Sequence, residues 1–255
     1  MDPVREIAVI VSQKRIAEGI FDMTLHCPGA ARLAGPGQFL NLYCNNETRL
    51  LPRPISICAI DKKEGRIRIV YRAAGAGTRE FSAMKAGDRL EILGPLGHGF
   101  TLREEPAILI GGGIGIPPML ELARNIPGSK TCVLGYRDET FLLEEFEEIS
   151  PVAAASEDGR TGVKGTVLDA IKKLGVEGEV IYACGPMPML KAVARYAEEK
   201  GIEAQISLEE RMACGIGACL GCICQTQEKN HHTNVNNSRV CKDGPVFDAK
   251  EVVFP

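Results

Sequence analysis

The chain has 255 residues, 25% of them charged, and a formal net charge of −3. Such a balance gives nucleic acid or an anionic membrane surface no electrostatic handle, and no apolar run approaches the ~20 residues needed to span a bilayer. The length suits two compact domains and a small appendage. Ten cysteines behind a start, Met1-Asp-Pro-Val-Arg, that reads as no export signal imply a reducing cytoplasm, where thiols bind metal instead of pairing.

The first hundred residues read as strands. β-rich or alternating runs fall at Glu6–Val11, Ile20–Cys27, Gln38–Tyr43, Ile55–Ile60, Arg66–Arg72 and Arg89–Leu93. Turn residues separate them: Pro28-Gly, Gly35-Pro-Gly, Asp61-Lys-Lys-Glu-Gly and Ala86-Gly-Asp,. Short strands at this spacing predict an antiparallel barrel, which closes its own edges, with a short helix over Thr78–Met84. Arg53-Pro-Ile-Ser opens one strand; proline fixes the entering chain, and the flanking Arg and Ser can reach a phosphate or an electron-rich ring. Taken alone it could equally be a solvated Arg. Gly75-Ala-Gly-Thr follows a strand later, where amides at a helix start suit a pyrophosphate.

From Glu105 the period changes. Strands at Ala107–Ile110, Thr131–Leu134, Val152–Ala155, Val180–Ala183 and Ala204–Ile206 alternate with helices at Pro118–Asn125, Phe141–Ile149, Val167–Leu174 and Met187–Lys200. This rhythm predicts a parallel sheet covered by helices on both faces. Two turns at the C-terminal ends of its strands stand out: Ile110-Gly-Gly-Gly-Ile-Gly-Ile-Pro-Pro and Ala183-Cys-Gly-Pro-Met. The first does not match G-x-G-x-x-G and could be a purely structural turn. Ligands of open parallel sheets bind outside those ends, however, and a pair of such turns makes a dinucleotide crevice the better reading.

The last fifty residues carry Cys214, Cys219, Cys222 and Cys241, spaced C-x4-C-x2-C and then a lone C. That is the plant-type ferredoxin spacing for a [2Fe–2S] cluster. Glycines at 215, 217 and 221 let the loop curl and leave amides free for the cluster sulfurs. Structural zinc prefers two short pairs, so it is the weaker alternative. Cys224 shares a strand face with Cys222 and is a fifth candidate; choosing it over Cys214 would leave the glycine loop without a purpose. Of Cys27, Cys44, Cys58, Cys132 and Cys184, four read as ordinary buried thiols. Gln225–Arg239, with His231 and His232, reads as a solvated hairpin tip.

The order R-P-x-S, G-G-G-I-G-x-P-P, C-G-P-x-x-M and C-G-x-G-x-C-x-x-C resembles the ferredoxin–NADP⁺ reductase superfamily. Within it, the chain is most similar to the family of electron-transfer subunits of dihydroorotate dehydrogenase B. The resemblance implies an FAD-binding β-barrel domain (1–101), an NAD-binding α/β parallel-sheet domain (102–207) and a small [2Fe–2S] domain (208–255). It implies FAD contacts at Arg53, Pro54, Ile55, Ser56, Val70, Tyr71, Arg72, Gly77 and Thr78. NAD(H) would meet Gly112, Gly113 and Gly115 at its pyrophosphate and Cys184, Gly185 and Pro186 at its nicotinamide. Cys214, Cys219, Cys222 and Cys241 would hold the cluster. The resemblance further implies a separate FMN-containing catalytic subunit that oxidises dihydroorotate in pyrimidine synthesis, two copies of each chain forming a heterotetramer. No acid, base or nucleophile is expected, because hydride and electron transfer need aligned cofactors. The rival readings are a reductase serving another acceptor, such as an oxygenase, hydrogenase or ferredoxin, and a zinc-stabilised binding module.

Overall fold

The computed structural model describes residues 2–230 and 234–255; His231 and His232 lie outside the described residues. The N-terminal part runs β1 (Val4–Ala17), β2 (Ile20–His26), α1 (Pro28–Leu33), β3 (Phe39–Leu42), β4 (Arg53–Asp61), β5 (Arg66–Arg72), α2 (Ala76–Ser82) and β6 (Arg89–Leu96). Its six strands close into an antiparallel barrel in the order β1-β2-β5-β4-β3-β6. Period-two alternation fills the interior: Ala8 and Ile10, Met23 and Leu25, then Ile67, Ile69 and Tyr71 are all buried,.

The second part runs β7 (Ala107–Gly112), α3 (Ile116–Asn125), β8 (Lys130–Tyr136), α4 (Leu143–Glu147), β9 (Val152–Ser156), β10 (Val163–Lys164), α5 (Val167–Leu174), β11 (Val180–Cys184), α6 (Met187–Lys200) and β12 (Glu203–Ser207). The tail adds β13 (Ile223–Gln225), β14 (Asn237–Arg239) and β15 (Val246–Asp248). Seven strands form one sheet in the order β10-β9-β8-β7-β11-β12-β15. All its pairs are parallel except β12 with β15. Helix α5 shows why such segments start and stop where they do. The Thr166 hydroxyl accepts from the Asp169 N–H, the Asp169 carboxylate accepts from the Thr166 N–H, and Gly175 ends the helix at φ +63°,.

Three features differ from the sequence reading. Pro28-Gly opens helix α1 instead of marking a bare turn, because proline at the first helical position loses no hydrogen bond,. The second helix starts at Ala76, two residues before Thr78. The tail is not a free-standing unit. Its β15 joins the edge of the large sheet, and Cys222, Cys224, Val240, Cys241 and Phe247 share one core with Ile181, Ala183 and Ile206.

Helix α3 is buried on every side from Ile116 to Ala123, since it lies between the parallel sheet and the barrel. Its Leu120 and Leu122 share a core with barrel residues Ile20, Cys58 and Val70, and its Glu121 accepts from the Ile60 N–H at 2.9 Å. On the barrel's flank Arg68 donates to both oxygens of Asp22 (2.9 and 2.8 Å) and both of Glu145 (2.8 and 2.6 Å). With four charge-assisted bonds on one guanidinium, barrel and sheet are held in fixed register, and the cleft between them is preformed.

Candidate functional site: a dinucleotide cleft beside a four-thiol loop

A cavity of about 990 Å³ opens between the barrel and the C-terminal ends of the sheet strands. Arg53, Pro54, Ile55 and Ser56 line it from β4, Val70, Tyr71 and Arg72 from β5, and Thr78 from α2. Across the cleft stand Gly115, after β7, and Cys184 and Gly185, at the end of β11. Most of the anticipated contacts are thus on one cavity. Gly77, Gly112, Gly113 and Pro186 do not line it. Gly77 lies beneath the Arg53 guanidinium, where any Cβ would overlap it. Gly112 is packed against Met189 and Pro186 in the same way. The Tyr71 ring turns into the barrel core, where its hydroxyl donates to Gln13 at 2.9 Å.

The lining explains which chemistry fits. Arg53 and Arg72 stand on neighbouring antiparallel strands and bring two guanidinium groups to one wall, the arrangement an anionic pyrophosphate needs,. Arg53 is oriented by donating back to the Leu51 and Pro52 carbonyls. The Cys184 thiol is pushed up to about 12, chiefly by burial and against the help of the Ser207 hydroxyl. It is therefore a neutral wall and not a nucleophile. Gly115 presses against the backbone of Cys184 and Gly185, so both glycine turns meet at a point where no side chain fits. Past β8, Arg137 is paired with Asp138 at 2.8 Å, and Glu139 accepts from the Glu18 N–H.

The sequence reading missed two parts of this wall, Thr48–Pro52 and Ser207–Met212. The first is an irregular loop carrying the exposed Leu50 and Leu51. The second joins β12 to the cysteines. No spacing rule marks either; the position of Ser207 at the end of a parallel strand is the one usable signal.

The four thiols gather as two pairs. The Cys241 N–H donates to the Cys222 sulfur at 3.4 Å, and Cys214 lies beside the Cys219 thiol. Among the described residues no three metal-ligating side chains close around one point, and paired thiolates are what a two-iron cluster takes. Burial alone would push the Cys214 thiol up, but it is outweighed. N–H groups of Ile216, Cys219 and Ala218 point at the sulfur, the Cys219 thiol adds to them, and Cys214 comes down to about 6. Cys241 is driven the other way, to about 12, by burial and by its neighbour Cys222, although the Gly217 N–H reaches its sulfur at 3.1 Å. Cys224 is different. It is buried, points its thiol at the Ser238 carbonyl (3.5 Å), and is pushed up to about 11 by burial first. Of the remaining five cysteines, Cys27, Cys58 and Cys132 are buried thiols and Cys44 is only half-buried.

The loop is fastened to the barrel. Asn41 on β3 is fully buried, and its Nδ2 donates to the Cys214 carbonyl at 3.0 Å. Its Oδ1 is a buried acceptor without a partner among the described residues, a cost of about 1–3 kcal/mol. Gly215, at φ +68°, sits so tightly on this amide that a Cβ would overlap it. Asn41 is also the register partner of Pro54. One buried side chain therefore connects the R-P-I-S strand to the first thiol of the loop.

A barrel and a parallel sheet enclosing a dinucleotide-sized cleft, with a loop of paired thiols tied to the barrel, define a flavin- and iron–sulfur-dependent oxidoreductase of the ferredoxin-reductase type. Comparison with known proteins agrees. Residues 8–100 match the family model described as an oxidoreductase FAD-binding domain, and residues 209–253 match the iron–sulfur cluster binding domain of dihydroorotate dehydrogenase B. The chain is 44% identical over 249 residues to the dihydroorotate dehydrogenase B (NAD(+)) electron transfer subunit of Caldanaerobacter subterraneus subsp. tengcongensis, covering 97% of this chain and 98% of that one. It is 41% identical over 257 residues to the subunit of the same name from Bacillus cereus strain B4264, covering 96% and 97%. Among solved structures it resembles an NADH-dependent reduced ferredoxin-NADP oxidoreductase, with a TM-score of 0.88 and 29% identity over 98% of this chain and 90% of that one. The chain belongs to the family of dihydroorotate dehydrogenase B electron transfer subunits.

Proposed function

We propose that this chain passes electrons between NAD(H) and an FMN-containing dihydroorotate dehydrogenase catalytic subunit, by way of FAD in the cleft and a [2Fe–2S] cluster on Cys214, Cys219, Cys222 and Cys241. Bound FAD supplies the exchange between two-electron hydride chemistry and single electrons. The chain's own residues bind and align. Arg53 and Arg72 hold the pyrophosphate of FAD, with Gly77 giving the Arg53 guanidinium its seat, while Ser56 and Thr78 offer hydroxyls. Gly112, Gly113 and Gly115 take the pyrophosphate of NAD(H). Cys184, Gly185 and Pro186 form the wall behind the nicotinamide. The observation that carries this reading is the Asn41 bond to Cys214, which ties the thiol loop to the strand paired with the R-P-I-S strand of the cleft. Flavin, iron and acid-labile sulfide analysis of the purified protein tests it. One FAD and one two-iron cluster per chain are expected; stoichiometric zinc without sulfide would overturn the cluster.

No described helix is long and apolar enough to cross a membrane, and our reading is a cytoplasmic heterotetramer, two of each chain. The loop's outer surface supports a docking role. Ile216 and Leu220 are about half exposed, at 49% and 55%, and Leu220 is held at φ +57°, a conformation that costs a non-glycine residue about 1–2 kcal/mol,. An apolar side chain kept outward in that conformation fits a face that a partner covers. Leu220→Glu is expected to leave FAD, cluster and NADH–dye reduction intact. It should weaken association with the dihydroorotate-oxidising subunit and slow NADH-linked orotate turnover. Unchanged association and turnover would place the docking face elsewhere.

A further inference from the structure

A charged pair lies against the thiol loop, with Lys242 beside it. Arg239 lies on β14 opposite Ile223, two residues before Cys241. Its Nε and Nη2 donate to the two oxygens of Asp243 at 3.0 and 2.9 Å, and its Nη1 donates to the Gly217 carbonyl at 3.1 Å. The N–H of the same Gly217 donates to the Cys241 sulfur. The pair is mostly withdrawn from water, with side chains 18% and 23% exposed, so its field is less screened than that of a surface pair. Gly217 stands at φ +84°, and a Cβ there would come within 2.8 Å of Lys242 and 3.4 Å of the guanidinium. The backbone of the loop thus lies directly against the ion pair.

Anchoring the loop would need only a neutral donor to the Gly217 carbonyl. A guanidinium balanced by a two-point carboxylate is a stronger device, because it places a full charge of each sign at a fixed distance from Cys222 and Cys241. We propose that the Arg239–Asp243 pair sets the reduction potential of the cluster. The proposal rests on the four-thiolate reading above and goes beyond it by assigning the tuning to two residues that touch no metal. Reduction adds one electron to the cluster and breaks no bond, so the added negative charge is stabilised by Arg239 and opposed by Asp243. Both residues are positioning groups that act through the field and through Gly217.

The test is a redox titration of the purified holoprotein with dithionite, following the cluster's visible absorption and EPR signal. Arg239→Gln keeps a donor for the Gly217 carbonyl but removes the cation, and the cluster should become harder to reduce. Asp243→Asn leaves the cation unbalanced, and the cluster should become easier to reduce. Each shift is expected at about tenfold in the ratio of reduced to oxidised cluster at a fixed poise, about 59 mV for a one-electron couple. Arg239→Lys should return the potential towards that of the unaltered protein. Shifts of the same sign in the first two variants, or none, would show that the pair only fastens the loop. If Arg239→Gln fails to retain a cluster, the upward shift in Asp243→Asn and the near-native potential of Arg239→Lys still decide the matter. An unaltered protein without the cluster's absorption would remove the four-thiolate reading, and this proposal with it.

Discussion

Cys214→Ser, Cys219→Ser, Cys222→Ser and Cys241→Ser are each expected to abolish the cluster, whereas Cys224→Ser retains it. The four belong to two thiol pairs, so losing any one leaves an iron with a single cysteine ligand and a hydroxyl in place of a thiolate. Their surroundings agree with the assignment. Cys214 is brought down to about 6 by the amides of its own loop, and Cys222 and Cys241 both receive backbone N–H groups. At Cys224 burial outweighs the backbone groups of Ser238 and Cys224 that would lower it, so its thiol stays protonated and donates to the Ser238 carbonyl. Serine can make the same bond at some cost in packing. Visible absorption with iron and sulfide analysis decides the outcome. A Cys224→Ser protein without the cluster, beside a Cys214→Ser protein that keeps it, would reverse the choice of ligands.

Gly115→Ala is expected to disable the nicotinamide nucleotide site while leaving FAD bound. A Cβ there would fall on the Cys184 carbonyl carbon and oxygen and on the Gly185 Cα. These are backbone atoms at the end of a central strand, and they cannot swing aside as a flexible side chain would. Overpacking of this kind costs about 1–3 kcal/mol, and here the relaxation must open the gap between the two glycine turns. Since each 1.4 kcal/mol is about tenfold in affinity, a rise of about fivefold to a hundredfold in the KM for NADH in dye reduction is expected. Bound FAD, measured by absorbance, should stay near one per chain, because the barrel wall of the cleft is untouched. An unchanged KM would mean that the nucleotide does not use this junction.

Much of this was legible in the sequence, and the reasons are local. The helices Val167–Leu174 and Met187–Lys200 come out with the ends that periodicity and their closing glycines set. Arg66–Arg72 does so as a strand because turn residues flank it. Within the proposed site, R-P-I-S and Cys184-Gly185 face one cavity because strand ends in this architecture are aimed at a common crevice,. What stayed hidden depended on distant contacts. Strand β10 has two residues, too few for any period. Strand β15 is ordered by β12, nearly forty residues earlier in the chain. Asn41 is one polar residue between Leu40 and Leu42, and only the fold brings Cys214 to it. The loop at Thr48–Pro52 belongs to the cavity through its position alone.

The antiparallel strand β15 has a consequence for how such proteins can be recombined. The cysteine loop leaves the large sheet after β12 and returns to it as β15, so the segment is a detour within one sheet and not a bead on a string. A chain cut at residue 208 would lose the outermost strand along with the thiols. The row of N–H and carbonyl groups on β12 would then be bare, an open template for pairing with another molecule. Exchange of iron–sulfur segments between related reductases should therefore succeed only when the graft carries β15 and the Phe247 side chain beneath it. The boundary that matters for inheritance lies inside the sheet, between β12 and β15, and not at the first cysteine.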